Sequence, residues 1–314
     1  MRGRACTILP AMLRLHPYEY HRPIRLDEAL ELLDEHGEDA MPIAGGTDLV
    51  PNMKHGLFTP GHLVSLGRIE EMRGIDRSAD GSIRLGAAES LDSVSRDPAV
   101  LEEWPMLADA CSKISGPQLR RAGTIGGNVC LDTRCTYYNQ TRFWRESLGF
   151  CLKKDGEVCH VVPGGTRCVA AHSADGATAL CAIGARLEIA GFGGERRTVP
   201  IDSFFNSDGV WNRRMNRGEL LVAVWLPPAP TGIRAAFRKL RIRDSIDFPL
   251  ANVAAVAKVD EAGSAESLRL YVSGMGSYPR NVGKVEAIVV GGPLAAARIE
   301  GVAEQVFRQC HPLA

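Results

Sequence analysis

The 314-residue sequence lacks long hydrophobic runs, a surplus of charge of either sign, internal repeats and low-complexity tracts. No apolar stretch approaches the ~20 residues that a spanning helix needs, which argues against an integral membrane protein. The 37 Lys and Arg residues balance the 37 Asp and Glu residues, which argues against a general nucleic-acid binder or a polybasic membrane-surface protein. An ordinary globular composition remains, with room for two or three domains.

The N-terminus only weakly imitates a secretory signal peptide. Basic residues precede a few apolar ones, but Pro10 and Arg14 interrupt the apolar stretch and no convincing cleavage site follows. We interpret this segment as a loose tail, with Met12 as an alternative start. The expected location is the cytoplasm, where the nine cysteines remain reduced.

Hydrophobic periodicity predicts an α+β protein of two main parts, divided near residue 230. The Pro-rich segment 226–232 is the best linker in the chain. The pattern predicts helices at 23–37, 69–72, 101–112 and 295–309, and strands at 40–44, 62–66, 82–86, 235–242, 251–259 and 267–274.

The segment 130–171 differs from the rest of the chain. It is rich in cysteine, aromatic and basic residues and has no sustained period, so we expect a long irregular loop. Such loops are uncommon inside compact domains unless something organises them. Six of the nine cysteines fall between Cys130 and Cys181, and clustered thiols in a reducing compartment indicate a metal site.

Two Gly-Gly elements stand at Ala44–Asp48 and Gly123–Asn128. Glycine reaches positive φ and has no Cβ, so a phosphate can approach consecutive backbone N–H groups. Neither element matches the dinucleotide or P-loop pattern, and either alone is more often a tight turn without a ligand. The pair together indicates one diphosphate held between two loops.

The segments Pro42-Ile-Ala-Gly-Gly-Thr-Asp-Leu49 and Ala122-Gly-Thr-Ile-Gly-Gly-Asn128 resemble the two pyrophosphate-binding loops of a known family. This is the family of FAD-binding medium subunits of molybdenum hydroxylases, which includes xanthine and carbon monoxide dehydrogenases. The resemblance runs from about residue 16 to 303. It implies a two-lobed FAD-binding domain of the PCMH/VAO type at 13–228 (lobes at about 13–60 and 61–228) and a smaller α+β C-terminal domain at 233–314.

The resemblance also implies which residues bind FAD. In the family an Asp that holds the ribityl chain follows soon after the second loop, whereas its counterpart here, Asp175, comes much later. The segment at about 130–171 is therefore an insertion. The implied FAD-binding residues are Pro42, Ile43, Ala44, Gly45, Gly46, Thr47, Asp48, Leu49, Thr124, Ile125, Gly126, Gly127, Asn128, Asp175 and Lys239.

The insertion resembles that of the β subunits of 4-hydroxybenzoyl-CoA reductases, which carry an extra [4Fe–4S] cluster. Matched by position, the cluster ligands fall on Cys135, Cys151, Cys159 and Cys168, whereas Cys130 matches a cysteine that is not a ligand. The remaining cysteines are interpreted as ordinary thiols.

The residues alone leave the nature of the thiol group open. Four thiolates suit a [4Fe–4S] cluster, but the intervals contain no C-x-x-C, and zinc or buried inert thiols fit equally well. His160 and His172 are candidates to complete a zinc site. Nearby basic residues either offset the thiolate charge, attract an acidic electron donor, or form a solvated surface: Arg134, Arg142, Arg145, Lys153, Lys154 and Arg167.

The resemblance implies an electron-transfer subunit with FAD and a [4Fe–4S] cluster, and no acid–base catalytic residues are assigned. Electrons from ferredoxin would enter here and pass to a small double-[2Fe–2S] subunit and a large molybdopterin subunit, for reductive dehydroxylation of 4-hydroxybenzoyl-CoA. The alternatives are an oxidising aldehyde or N-heterocycle hydroxylase and a zinc-stabilised, flavin-free docking protein. Because relatives continue with a basic helical tail, we expect the C-terminal domain to be truncated.

Overall fold

The structure is a computed structural model that describes residues 14–310, so the proposed N-terminal tail lies outside the described residues. The helices are α1 (Leu26–His36), α2 (Leu49–Lys54), α3 (Leu91–Arg96), α4 (Pro98–Glu103), α5 (Pro105–Ser112), α6 (Pro117–Ala122), α7 (Ile125–Val129), α8 (Arg142–Ser147), α9 (Asp175–Ile183), α10 (Ile201–Phe204), α11 (Glu286–Val289) and α12 (Ala296–Gln309). Short 3₁₀ helices lie at Gly37–Asp39, Glu70–Met72 and Phe192–Gly194.

The strands are β1 (Glu19–His21), β2 (Ala40–Ile43), β3 (His62–Ser65), β4 (Ile75–Arg77), β5 (Ile83–Gly86), β6 (Arg186–Ala190), β7 (Arg196–Pro200), β8 (Leu220–Leu226), β9 (Ile233–Leu240), β10 (Ala251–Val259), β11 (Ala265–Ser273) and β12 (Arg280–Asn281). They form a parallel sheet β1-β3-β2, an antiparallel sheet β4-β5-β8-β6-β7 and an antiparallel sheet β12-β11-β10-β9. This mixed α/β architecture agrees with the fold class predicted from the sequence. In the described part of the chain, no helix is both long and apolar enough to cross a membrane.

The N-terminal lobe is built from α1 and the parallel sheet. The predicted helix at 23–37 forms as α1, whose apolar stripe Leu26, Ala29, Leu30 and Leu33 is buried. The Glu28 carboxylate accepts hydrogen bonds from the backbone N–H groups of Ile24 and Arg25, at 3.1 and 3.4 Å, and satisfies donors at the helix start. Helix α1 packs against β2 and β3, and β2 leads directly into the first glycine turn.

The single helix predicted at 101–112 is wrong, because two helices, α4 and α5, meet at Trp104. Pro105 disfavours helical φ/ψ for the residue before it, and Trp104 adopts φ −135° and ψ 60°. A single helix over 101–112 would place Leu101 and Trp104 on the same apolar face, but Leu101 is 47% exposed. Trp104 itself is buried, and its indole N–H donates to the Pro227 carbonyl at 2.8 Å.

Helix α9 connects the two main parts of the molecule. All nine of its residues are buried, and it packs against α5 and α7 on one side and β10 and β11 on the other. The large core therefore continues across the predicted division and includes Phe237, Ala254 and Tyr271. A second core lies on the other face of the C-terminal sheet and contains Ala265, Leu270, Val272, Val282, Val285, Val289 and Val302.

The segment 130–171 is largely irregular and has α8 as its one helix. Arg134 and Ala171 close its base, since the backbone N–H of each donates to the carbonyl of the other at 2.8 and 2.7 Å. The segment is thus a closed loop placed between α7 and α9. Its interior is organised by side chains, described below.

Candidate cofactor-binding site

The two glycine turns touch each other. An added Cβ on Gly45 would lie 1.8 Å from the Ala122 carbonyl oxygen, and one on Gly123 would lie 3.2 Å from Thr47 Oγ1. Gly46 has φ +67°, a conformation that side chains disfavour. Glycine at these positions therefore lets the backbones of the two loops come together in front of α2 and α7.

Two glycines, one in α7 and one in α9, have a packing role. A Cβ on Gly126 would lie 2.6 Å from the Ala87 Cβ, so its absence lets α7 pack closely on the segment after β5. Thr124 caps α7, because its Oγ1 accepts from the Gly127 N–H at 3.0 Å. A Cβ on Gly176, at the start of α9, would lie 2.6 Å from Asn128 Oδ1. The Gly-Gly pattern thus partly reflects how α7 and α9 are packed.

The turns border a cavity of about 640 Å³, a size typical of cofactor and ligand sites. All the residues predicted to bind FAD line this cavity except Ile125. The Ile125 side chain is fully buried in the core, and its N–H donates to the Glu89 carbonyl at 2.9 Å. Ile125 consequently supports the turn from behind, because the first turn of α7 directs its side chain away from the cavity.

A buried ion pair stands at the cavity wall. Lys239 Nζ lies 2.5 Å from Asp175 Oδ2, and both side chains are 2% exposed. Asn252 Nδ2 donates to Asp175 Oδ1 at 2.8 Å. Burial raises the pKa of Asp175, and Lys239 and Asn252 offset part of this effect. The charge of Lys239 is therefore largely balanced within the protein.

Lys239, Arg241 and Arg243 alternate along the sequence, which predicts one shared face if their segment is a strand, but that face forms only in part. Strand β9 ends at Leu240, so both arginines lie beyond it. Lys239 Nζ and Arg241 Nη1 both donate to the Lys113 carbonyl, at 3.2 and 3.1 Å. Arg243 instead pairs with Asp247 at 3.3 Å in the following loop.

Several buried polar atoms of cavity-lining residues have no hydrogen-bond partner in the described protein. They are Asn128 Oδ1, Ser173 Oγ and Arg213 Nε. Buried polar groups without partners are rare in folded proteins, and three of the nine such atoms among the described residues belong to residues that line this cavity, as expected if it holds a polar ligand. Together with the glycine turns, these atoms fit a cofactor that carries phosphate and hydroxyl groups.

Sequence reasoning missed an ion pair that joins the insertion to the first turn. The Arg134 guanidinium contacts the Asp48 carboxylate and lies 4.8 Å from the centre of the Phe248 ring. Burial lowers the pKa of Arg134 to about 10. The closure of the insertion at Arg134 and Ala171 aims this side chain at the turn, and no local pattern in the sequence marks that pairing.

The structure gathers the four predicted cysteine ligands in one region of the insertion. Cys151, Cys159 and Cys168 are buried, and Cys135 is partly buried. Burial raises the pKa of the Cys135 thiol, and the nearby sulfur atoms of Cys151 and Cys159 raise it further. Burial likewise raises the pKa of Cys168 to about 11, with Cys135 and Cys151 close by.

The sulfur atoms are spaced too widely for one ion. Among the described residues, no three of these sulfur atoms lie within 4.8 Å of one another. A tetrahedral zinc ion with Zn–S bonds of ~2.3 Å would hold its sulfur ligands roughly 3.8 Å apart. Backbone N–H groups of Val162 and Ala170 donate to the sulfur atoms of Cys159 and Cys168, both at 3.4 Å. Hydrogen bonds of this kind to cysteine sulfur are among the features that set the potential of an iron–sulfur cluster.

Neither histidine near the cysteines is placed to complete a metal site with them. His160 Nε2 is 2.5 Å from the Phe150 carbonyl oxygen, to which it donates. His172 is fully buried against Phe205, with ring centres 5.0 Å apart, and burial lowers its pKa to about 3. The proposed Cys/His zinc site does not form in the structure.

The basic residues of the insertion divide into two groups. Arg142 and Arg167 are exposed, as expected of a solvated surface. Arg145 is buried and contacts Asp155 at 3.1 Å and the Gly56 carbonyl at 3.1 Å. Lys153 has a side chain only 3% exposed. Its Nζ donates to Asp132 Oδ1, Thr133 Oγ1 and the Gly209 carbonyl, at 2.7, 2.5 and 2.6 Å.

The geometry defines a two-part protein with a cofactor cavity between paired glycine turns. Residues 16–229 match the FAD-binding domain of molybdopterin dehydrogenases, and residues 235–314 match the C-terminal domain of carbon monoxide dehydrogenase flavoproteins. The chain belongs to the family of FAD-binding medium subunits that includes xanthine dehydrogenase and carbon monoxide dehydrogenase.

Individual relatives agree with this assignment. The xanthine dehydrogenase FAD-binding subunit of Escherichia coli O157:H7 is 29% identical over 93% of this chain and 86% of its own length. The carbon monoxide dehydrogenase medium chain of Hydrogenophaga pseudoflava is 31% identical over 77% of this chain and 69% of its own. A solved carbon monoxide dehydrogenase from Hydrogenophaga pseudoflava superposes with a TM-score of 0.78 and 25% identity, covering 96% of this chain and 90% of that one.

Proposed function

We propose that this FAD-binding subunit transfers electrons within a molybdenum hydroxylase-type complex, and that its insertion carries a [4Fe–4S] cluster. One observation supports both parts. Leu57 and Tyr138 pack against Cys151 and also line the cavity, so the cysteine group lies directly behind the cavity wall. Electron exchange between two redox groups requires this kind of proximity.

The FAD-binding part rests on the two turns. Backbone N–H groups at Gly45–Asp48 would hold the diphosphate, because glycine leaves them accessible. The N–H groups of residues 125–128 already donate within the protein, so the second turn would contribute mainly its close approach to the first. Asn128, Ser173 and Arg213 offer unfilled hydrogen-bonding positions. The Asp175–Lys239 pair presents fixed partners to the hydroxyl-bearing part of the cofactor.

The cluster-binding part rests on Cys135, Cys151, Cys159 and Cys168. Their spacing exceeds that around one ion, and two of the sulfur atoms accept backbone hydrogen bonds. The bound groups would supply redox chemistry, FAD with one or two electrons and the cluster with one. The chain's own contribution is to hold both in place and to keep Lys153 as a buried positive charge near Cys168.

The comparisons favour an oxidising complex. Relatives are named as subunits of xanthine, carbon monoxide, aldehyde and nicotinate oxidoreductases. We therefore propose partnership with a large molybdopterin subunit and a small double-[2Fe–2S] subunit, in a reducing compartment such as the cytoplasm, with an aldehyde or N-heterocycle as substrate.

A second candidate is the reductive dehydroxylation of 4-hydroxybenzoyl-CoA with electrons from ferredoxin. The insertion supports it, because an oxidising complex has no evident need for an additional electron entry point beside FAD. The spacing of the sulfur atoms and the hydrogen bonds of the two histidines weigh against the zinc-stabilised docking protein.

The test of cofactor content is anaerobic purification followed by iron, zinc and flavin analysis. About four irons and one FAD per chain are expected from the [4Fe–4S] stoichiometry. Zinc without iron, or an iron-free flavoprotein, would overturn the cluster assignment. Absence of flavin would overturn the FAD-binding function itself.

A pair of variants tests the ligand set. Cys151→Ser should lose the visible absorbance of the cluster and keep FAD, whereas Cys130→Ser, in the same insertion, should keep both. Unchanged iron in Cys151→Ser would remove Cys151 from the ligand set. Turnover of 4-hydroxybenzoyl-CoA with reduced ferredoxin, measured against aldehyde or N-heterocycle oxidation with a dye acceptor, then separates the two candidate reactions.

A further inference from the structure

A group of three histidines lies in the N-terminal lobe. His21 ends β1, His36 ends α1, and His62 begins β3. All three are partly buried, and none of them lines the cofactor cavity. The group therefore stands apart from the residues discussed above, and no short sequence pattern connects its members.

The three rings converge closely. His21 Nε2 is 3.0 Å from His62 Nδ1, and one ring nitrogen of each residue lies within 4.8 Å of the others. The His36 and His62 rings stack in parallel with centres 3.7 Å apart. Three imidazoles around a zinc ion at ~2.0–2.1 Å would place their nitrogens roughly 3.4 Å apart. Ligation therefore requires the His21–His62 contact to open slightly and the stacked His36 and His62 rings to rotate until their nitrogens face one point.

The charges around the group suit a cation. The Glu19 carboxylate is 3.7 Å from His62 Nδ1 and is 75% exposed, so it is free to turn toward an ion. His36 occupies the last turn of the 11-residue helix α1, where the helix dipole favours positive charge. Imidazole nitrogens are preferred ligands of zinc, copper and nickel ions.

We propose that His21, His36 and His62 form a binding site for a divalent transition-metal ion, with zinc as its occupant. The three ligands come from β1, β3 and α1, so the ion joins the first strand to its neighbour in the sheet and to the helix that covers them. A fourth position remains for Glu19 or water. The site stabilises the N-terminal lobe, and it depends on neither FAD nor the cysteine group.

The test uses the purified, cofactor-loaded protein and three matched variants. Zinc is added to the wild type, His36→Gln and His62→Gln, with His16→Gln as a control at an exposed histidine outside the group. Bound zinc is measured after gel filtration, and unfolding temperature is recorded with and without zinc. One additional zinc per wild-type and control chain is expected, with a rise in unfolding temperature because the ion binds the folded state.

The variants at the site should bind zinc at least tenfold more weakly, since even the loss of an outer partner of a metal ligand weakens binding about 10–100-fold. Their unfolding temperature should no longer respond to zinc. Cobalt supplies a check on ligand type, because thiolate ligation adds an intense sulfur-to-metal absorption band that imidazole ligation lacks. Equal zinc binding in all four proteins, or a thiolate band from the added cobalt, would overturn the proposal.

Discussion

The two glycine turns and the cysteine insertion border the same cavity, yet different contacts hold them. The turns are held by direct packing of one backbone against another, such as Gly45 against the Ala122 carbonyl. The insertion is fixed by buried charges that reach distant residues, as Arg145 does with the Gly56 carbonyl and Lys153 with the Gly209 carbonyl. The turns therefore depend on glycines, which have no side chain, and the insertion depends on the long side chains of buried arginine and lysine residues.

This difference determines how each region is expected to fail. Adding one carbon to a turn forces two backbones apart, whereas shortening a buried basic residue leaves its polar partners unpaired. The severity of the second change depends on whether the remaining partner can reach water. Asp175 is 2% exposed and Asp155 is 45% exposed, so the two buried cations of interest, Lys239 and Arg145, should differ.

The largest effect is expected from Lys239→Met at the cavity. The substitution leaves the Asp175 carboxylate buried without its cation, a change that typically costs about 3–5 kcal/mol of folding free energy. We expect a large drop in the unfolding midpoint in urea and the loss of FAD on gel filtration. The double variant Lys239→Met/Asp175→Asn removes both charges and should recover much of the stability, and equal instability of the two variants would contradict the explanation.

The next effect is expected from Gly45→Ala in the first turn. The added Cβ would meet the Ala122 carbonyl oxygen at 1.8 Å, so the loops must separate. Overpacking of this kind costs about 1–3 kcal/mol, and a backbone clash belongs at the upper end. Flavin content per chain should fall sharply. Gly67→Ala is the control, because nothing lies within 4 Å of its added Cβ, and loss of flavin there as well would exclude a local cause.

The contrast also explains what could be predicted from the sequence. The turns, helix α1 and strand β10 follow from local patterns, namely Gly-Gly pairs, an apolar stripe and an alternating run. Strand β10 spans Ala251–Val259, the range predicted. The break at Trp104 was also marked in the sequence by Pro105, and treating 101–112 as one helix overlooked the restriction that a proline places on the residue before it.

The partners of the insertion could not be predicted in this way. Arg134 meets Asp48, and Lys153 meets the Gly209 carbonyl, across long separations in the chain that leave no periodic trace. The grouping of His21, His36 and His62 is of the same kind, because sheet pairing brings β1 beside β3. Sequence reasoning named the types of residue that matter in the insertion, and only the tertiary structure shows which of them are buried.

Arg145→Met tests the insertion, with a smaller expected effect than Lys239→Met. It removes a buried guanidinium, but Asp155 remains hydrated and only the Gly56 carbonyl loses a buried partner. We expect a loss of about 1–3 kcal/mol, the range for one unsatisfied buried group. The variant should lose iron more readily than flavin, because the insertion, which carries the proposed cluster cysteines, loosens first. The exposed Arg142→Met is the control, and equal effects in both variants would contradict the role given to burial.

The smallest effect concerns His172, which joins the insertion to α9 and has no partner for either ring nitrogen in the described protein. Its pKa is lowered to about 3 by burial, whereas an unfolded histidine titrates near 6.5. Below pH 6.5 the unfolded state therefore binds a proton that the folded state does not, and stability falls as the pH falls. At pH 5.5 this amounts to about 1.4 kcal/mol, which His172→Leu should remove. Urea midpoints at pH 7.5 and 5.5 measure the change, and His16→Leu, at an exposed position, should keep the wild-type dependence. An unaltered pH dependence in His172→Leu would show that the acid sensitivity arises elsewhere.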